Sequence, residues 1–297
     1  MRQFFRHTST LLLSALLLAS SCLAHAETKG KALLWEIKSG KQTGYILGSI
    51  HVAKPDFYPL PAHVEKAWKQ SALLAVEADA SNEESIKKIR PALMYGDGDK
   101  LENHLKPETL SKLKAMIGDA GMAQFQTLKP MTAATGLSIA ALTQLGYSSE
   151  AGIDLHFIAR AKKDKKKLVE LESVEFQGKL LASMSDEDGD AMLLQTLENI
   201  SNGEAVRQIN AMVASWQAGD AAGLTKLLED MGNQDAGSKK LMKLLFDERN
   251  DGMAQKIATL VKGGKRPFVV IGAGHMTSGN NILTILEKQG FSIKQLP

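Results

Sequence analysis

The chain of 297 residues has one cysteine, eight prolines and no marked excess of charge, with 36 lysines and arginines against 33 aspartates and glutamates. A lone cysteine excludes a disulfide framework and structural zinc held by thiolates. With 44% hydrophobic and 23% charged residues, disordered and collagen-like readings are excluded as well. No segment approaches the roughly 18 uninterrupted apolar residues of a bilayer-spanning helix, so a multi-span membrane protein is excluded. A concentrated basic face is also missing. The densest run, Lys162 to Lys167, is one cluster interrupted by Asp164, and nucleic acid is not an expected partner. The G-x-S-x-G, H-E-x-x-H and Walker A patterns are absent, which removes the common serine hydrolase, zincin and NTPase signatures. Gly272-Ala273-Gly274 opens like a dinucleotide loop, but Thr277 stands where the third glycine belongs. The methionines are scattered as core filler.

What is present begins with an export signal. Arg2 and Arg6 precede the apolar stretch Leu11 to Leu18, and Ala24-His25-Ala26 supplies the small residues that a signal peptidase reads. Residues 1–26 are the expected signal peptide, and 27–297 a periplasmic or secreted chain with no stable transmembrane anchor. A lipoprotein at Cys22 is a minor alternative, because Ala19-Ser20-Ser21 lacks the large aliphatic residue expected three before the cysteine. Cleavage after Ala26 removes two arginines, no acid and the only cysteine, leaving 34 basic against 33 acidic residues and no thiol nucleophile. Any metal must then sit on His, Asp or Glu, and five histidines remain: His51, His63, His104, His156 and His275.

Along that chain, Trp35–Lys38 and Thr43–Gly48 read as a hairpin turning at Ser39–Gln42. Ala72–Asp79 is an apolar run ending in acids, the pattern of a buried strand whose end opens onto a site. Helical patterning follows from Ser81 to about Leu145, strongest in 84–89, 107–117 and 133–142, and reads as an insert of amphipathic helices. Gly152-Ile153-Asp154 opens a further helix, with Asp154 as N-cap or first-turn acid. Lys167–Glu172 is a short strand, helices resume from Gln177 to about Ile257, and Pro267–Gly272 has a buried-strand signature. A helix over 281–288 and a strand over 291–295 close the chain. The alternation predicts one α/β domain over 27–297, a mixed central sheet with long helical insertions.

In such sheets ligands collect at the carboxyl ends of strands. A G-x-x-H pattern stands at two of these ends, Gly48 to His51 and Gly272 to His275, and Glu77 and Glu172 follow two others. Glycine at Gly48, Gly272 and Gly274 permits a sharp exit and leaves backbone N–H groups free to face a ligand. Two imidazoles with one or two carboxylates make either a divalent-metal site or an acid/base set without metal. Asp79 is better suited to capping a turn, and Glu172 could instead support a helix start. His63, His104 and His156 have no companions at ligand spacing and read as surface or helix-packing residues.

The ordered set Leu47 to His51, Leu60-Pro61, Val76 to Asp79, Gly152-Ile153-Asp154, Lys166 to Ser173 with Glu175 and Gln177, Arg249-Asn250 with Met253-Ala254, and Ile271 to Met276 resembles the TraB/GumN group, which is related to the Tiki proteins. One departure is Met276-Thr277-Ser278-Gly279, where the group commonly has a leucine and a glycine-rich turn. The resemblance implies a Tiki/TraB-like α/β fold and, for the animal relatives, metal-dependent protease chemistry. It implies a divalent ion, Mn, Co or Zn, on His51, Glu77 and His275. It further implies that Arg249 and Asn250 orient substrate or stabilise an oxyanion, that Glu172 supports or acts as base, and that the substrate is a peptide or protein. The alternative is an envelope module that binds haem, a metal or another ligand in the same cleft without turnover.

Overall fold

The computed structural model describes residues 30–297 apart from Asp97, Asp235 and Ser278; the expected signal peptide lies outside the described residues. At its centre is a six-stranded sheet built from β1 (Leu34–Ser39), β2 (Gln42–Ser49), β3 (Leu73–Val76), β4 (Lys167–Glu170), β5 (Pro267–Gly272) and β6 (Ser292–Gln295), in the order β4-β3-β5-β2-β1-β6. β4, β3, β5 and β2 run parallel, β1 turns back on β2 as the expected hairpin, and β6 pairs antiparallel with β1. The sheet is therefore mixed, as the sequence predicts. Every position of β3 and β5 is buried, which demands cover on both faces and explains their unbroken apolar runs.

The helices are α1 (Ala62–Gln70), α2 (Glu83–Ile89), α3 (Pro107–Phe125), α4 (Pro130–Gln144), α5 (Ile153–Asp164), α6 (Val174–Ala182), α7 (Asp186–Ser201), α8 (Glu204–Ala218), α9 (Ala221–Gly232), α10 (Ala236–Met242), α11 (Glu248–Lys262) and α12 (Ile282–Lys288). Among them α5 lies along β3, β4 and β5, and α11 along β1, β2 and β5. The buried stripe of α11, Arg249, Asn250, Met253, Ala254, Ile257, Ala258 and Val261, has the spacing of a helix with one buried face. That stripe starts with Arg249 and Asn250, so the docking of α11 carries both polar side chains inward. Phe157, Trp68 and Phe268 interlock beneath α1 and α5, with ring centroids 4.8 to 5.5 Å apart.

A second core lies in the helical layer, formed by Leu101, Leu113, Ala133, Ala134, Leu137, Leu193 and Leu197. The helices of 81–145 do not close this core alone, since Leu193 and Leu197 come from α7. α3 is bent at Gly118, where φ is +63°, and α10 passes into α11 through a π-turn at Lys243–Asp247. Among the described residues no helix is long and apolar enough to cross a membrane.

Candidate active site

Four parallel strands end at the same edge of the sheet, and the register pairs Ser49 directly with Gly272. The two G-x-x-H segments thus leave neighbouring strands from the same level, while Glu77 follows β3 on the other side of β5. A Cβ placed on Gly272 would stand 3.1 Å from Glu77 Oε1, 3.4 Å from His51 Nε2 and 3.7 Å from His275 Cδ2. The three side chains converge on the one strand-end residue that has no side chain.

Each is held by a second group. His51 Nδ1 donates to Asp154 Oδ2 at 2.9 Å, and Ser49 Oγ donates to the other oxygen, Oδ1, at 2.7 Å. Asp154 lies in the first turn of α5, whose start is pinned by the Ile153 amide donating to the Ile50 carbonyl. Asn250 Nδ2 donates to the Asn280 carbonyl at 2.7 Å, turning its Oδ1 to accept from His275 Nδ1 at 2.6 Å. Both imidazoles therefore keep Nδ1 for an anchoring oxygen and present Nε2 to the site, with His275 Nε2 3.6 Å from Glu77 Oε2.

Glu77 is buried, and its two oxygens are engaged on different sides. Oε1 accepts the Gly272 amide at 2.6 Å; Oε2 accepts Arg249 Nη2 at 2.7 Å and Gln177 Nε2 at 3.1 Å. Arg249 also reaches Glu172 through Nε at 3.0 Å and Nη2 at 2.5 Å, and Nη1 donates to the Leu245 carbonyl at 2.7 Å. Gln177 bridges the two glutamates, 3.2 Å from Glu172 Oε2, and the Glu172 amide donates to the Glu77 carbonyl. Burial opposes the charge of Glu77, yet His275, His51 and Arg249 together outweigh it and hold its carboxyl well below the usual carboxylate range. Asp154 pushes the His51 imidazole up to about 9. His51 is the open side of the group, its side chain 67% exposed against 9% for Glu77 and 2% for His275.

All six residues singled out from the sequence, His51, Glu77, Glu172, Arg249, Asn250 and His275, fall in this one network. Of the three glycines, Gly272 lies at its centre. Gly48 backs onto Ala273 and Met276, and its carbonyl accepts Trp216 Nε1 at 2.6 Å. Gly274 lies beneath Phe246, whose ring a Cβ there would meet at 2.4 Å, and that ring stands edge-on to His275 at 5.1 Å. Asp79 caps its own turn through Ser81. His156 stacks on Tyr58, away from the network. His104 does have companions, Asp99 and Asp186 on its two ring nitrogens, the second of them far along the chain. Two functional groups were not assigned from the sequence. Asp154 has a helix-start role alone in the sequence and Gln177 none; the signal for both is their place in the motif set, Gly152-Ile153-Asp154 and the stretch from Lys166 to Gln177.

The donors suit a divalent cation by type: two imidazole nitrogens freed by anchored Nδ1 atoms and a carboxylate, in a group where Glu77 and Glu172 share one guanidinium. As they stand, however, no three His, Cys, Asp or Glu side chains among the described residues are grouped so as to hold a metal. Glu77 is already shared between Gly272 and Arg249.

The sequence profile of the TraB/PrgY/gumN family matches residues 33–295. The uncharacterized protein YbaP of Shigella flexneri is 27% identical over 249 residues, covering 83% of this chain and 89% of that protein, and YbaP of Escherichia coli K12 matches with the same figures. A protein named metalloprotease TIKI1 from Danio rerio is 20% identical over 314 residues, covering 90% of this chain and 63% of its own length. No solved structure gives a significant match. The chain belongs to the TraB/PrgY/gumN family.

Proposed function

We propose, from membership of that family and the network around Gly272, that this protein is an exported metal-dependent hydrolase that cleaves peptide bonds. The observation that carries the reading is the convergence of His51 Nε2, Glu77 and His275 on Gly272, with each imidazole fixed from behind. His51, His275 and Glu77 are the residues that would hold a divalent cation. Bound there, the cation supplies Lewis acidity toward the scissile carbonyl and its attacking water. Peptide chemistry is supported by the likeness to the protein named metalloprotease TIKI1.

The chain's own groups have separable tasks. Asp154 and Asn250 set the direction of the two imidazoles, and Glu77 stays ionised because cationic neighbours surround it. Arg249 spends Nε, Nη1 and Nη2 on protein acceptors, so it holds Glu77 and Glu172 in place as a positioning residue. Loading Mn, Co or Zn into the purified chain and screening mixed fluorogenic peptides tests the reading. The expected result is cleavage that depends on added metal and falls at least about a hundredfold in His51→Ala and His275→Ala, the scale of losing a principal catalytic group. Cleavage that ignores both substitutions, or none with any of the three metals, would overturn it.

A further inference from the structure

The edge of the sheet opposite the network gathers cations that are scattered along the sequence. Five of the six strands run in one direction, so the connections that enter β2, β3, β4, β5 and β6 all lie at that edge. These connections, 40–41, 71–72, 165–166, 263–266 and 289–291, hold Lys41, Lys165, Lys166, Lys265 and Arg266 and no acid. Lys69 and Lys167 flank two of them. The register sets Lys167, Leu73 and Pro267 side by side, and the connections are tied to one another. The Ala72 amide donates to the Arg266 carbonyl at 2.9 Å, Lys166 Nζ donates to the carbonyls of Trp68 and Ser71, and a Cβ on Gly264 would stand 3.2 Å from Gln42 Oε1. With neighbouring strands about 4.8 Å apart, the distance from β4 to β2 is about 15 Å. Lys166 is spent on its two carbonyls. The other six cations are exposed, and none is paired with a carboxylate among the described residues, whereas Lys112 in the helical layer meets both Glu108 and Glu198. The acids nearest in sequence are engaged elsewhere: Asp164 accepts Trp68 Nε1 at 2.8 Å, and Glu36 pairs with Lys38 at 2.6 Å. The helix dipole favours cations at helix ends, which accounts for Lys69 and Lys165 but not for Lys41 in a hairpin turn or Lys167 in a strand.

We infer that this edge is a docking face for the surface of an anionic phospholipid bilayer. Attraction to anionic lipid adds up lysine by lysine and needs no fixed geometry, which suits five lysines and a single arginine; the rigid arginine fork matters where one particular phosphate is read. Reading a duplex requires an element that enters a groove, and holding a single strand requires aromatic platforms. Connections this short offer neither, and their one aromatic ring, Phe291, is buried. A protein partner would call for an apolar centre to the interface, yet none of the exposed large apolar side chains, Ile86, Ile139, Leu145, Phe176 and Val206, belongs to this edge. With nothing apolar to insert, the attachment is electrostatic and reversible, and it is screened over about 8 Å at physiological ionic strength. The six residues of β5, about 20 Å of strand, separate the edge from Gly272, so a chain seated this way turns the charged network toward solution. The inference goes beyond the hydrolase reading and does not depend on it.

Co-sedimentation with vesicles tests it, using residues 27–297, which contain every described residue and omit the apolar stretch Leu11 to Leu18 that would partition by itself. The expected result is binding to phosphatidylcholine vesicles that contain phosphatidylglycerol, none to phosphatidylcholine alone, and release as salt is raised. Lys165→Glu, Lys167→Glu and Lys265→Glu together should weaken binding at least about tenfold, a floor where each lysine contributes roughly fivefold. Lys100→Glu, Lys179→Glu and Lys239→Glu, equally exposed but in the helical layer, change the net charge by the same amount and should leave binding unchanged. Circular dichroism checks the fold of both sets, and Lys165→Gln with Lys265→Gln, a milder pair, should weaken binding in the same sense if the reversed set misfolds. Absent binding at low salt, equal binding to both kinds of vesicle, or equal weakening by the two sets would each overturn the inference. Tighter binding of a single-stranded oligonucleotide or of polyphosphate than of the vesicles would overturn it too, giving the edge to a soluble polyanion.

Discussion

At the scale of single residues, the site is a set of charges that only make sense together. His51 reaches about 9 because Asp154 stands against its Nδ1, so Asp154→Asn should bring the imidazole titration, followed by NMR, back toward the ordinary value near 6.5; a titration left near 9 would show that Asp154 is not the cause. A histidine raised in the folded state adds stability in full below about 6.5, and that contribution fades as pH rises through about 9. The substitution should therefore destabilise the protein more at pH 6 than at pH 10. Arg249 presents the opposite case, a cation 8% exposed between two carboxylates. Arg249→Ala leaves both acids buried without their partner and should cost about 3 to 5 kcal/mol in urea unfolding; a loss under about 1 kcal/mol would mean that the acids find compensation elsewhere. The histidines and Glu77 were legible in the sequence because strand ends are legible. The task of Asp154 was not, because a first-turn acid looks the same whether it caps its own helix or holds a histidine 103 residues before it.

At the scale of elements, the start of α5 is the tightest joint. A Cβ on Gly152 would lie 2.2 Å from the His51 carbonyl oxygen and 2.8 Å from that of Ser149, both backbone atoms that cannot rotate aside. Gly152→Ala is expected to push α5 off the His51 segment, costing about 1 to 3 kcal/mol and lowering the His51 titration with it. Gly96→Ala, where nothing lies within 4 Å, should stay within about 0.5 kcal/mol; equal effects at both positions would refute the argument. The strands and the hairpin followed from apolar runs and turn residues. Helix extents were harder to read. α3 continues to Phe125 past Gly118, beyond the 107–117 segment predicted from its pattern, because Gly118 in the left-handed region bends the helix and shifts which residues face the core.

At the scale of the whole molecule, two cores of unequal size share the chain. The sheet core runs from Ala32 to Phe291, whereas the helical one has seven buried residues, two of them from α7. Hydrogen exchange should show α3, α4 and α7 opening together and at lower free energy than β2 and β5; one uniform exchange class would contradict this. Sequence pattern bounded the helical layer at 81–145, because local periodicity cannot reveal that Leu193 and Leu197 pack back against it. The π-turn at Lys243–Asp247 lies where these two bodies meet. In it, Leu245 and Phe246 line a cavity of about 530 Å3 among the helices, and through a carbonyl and a ring edge they touch Arg249 and His275. Such a turn, with one residue more than the α-helix around it, is rare and frequent at functional sites, and here it joins the helical layer to the charged cluster. The segment is in effect a seam stitched from both sides, so a deletion that shortens it should shift the carbonyl under Arg249 and the ring beside His275 together.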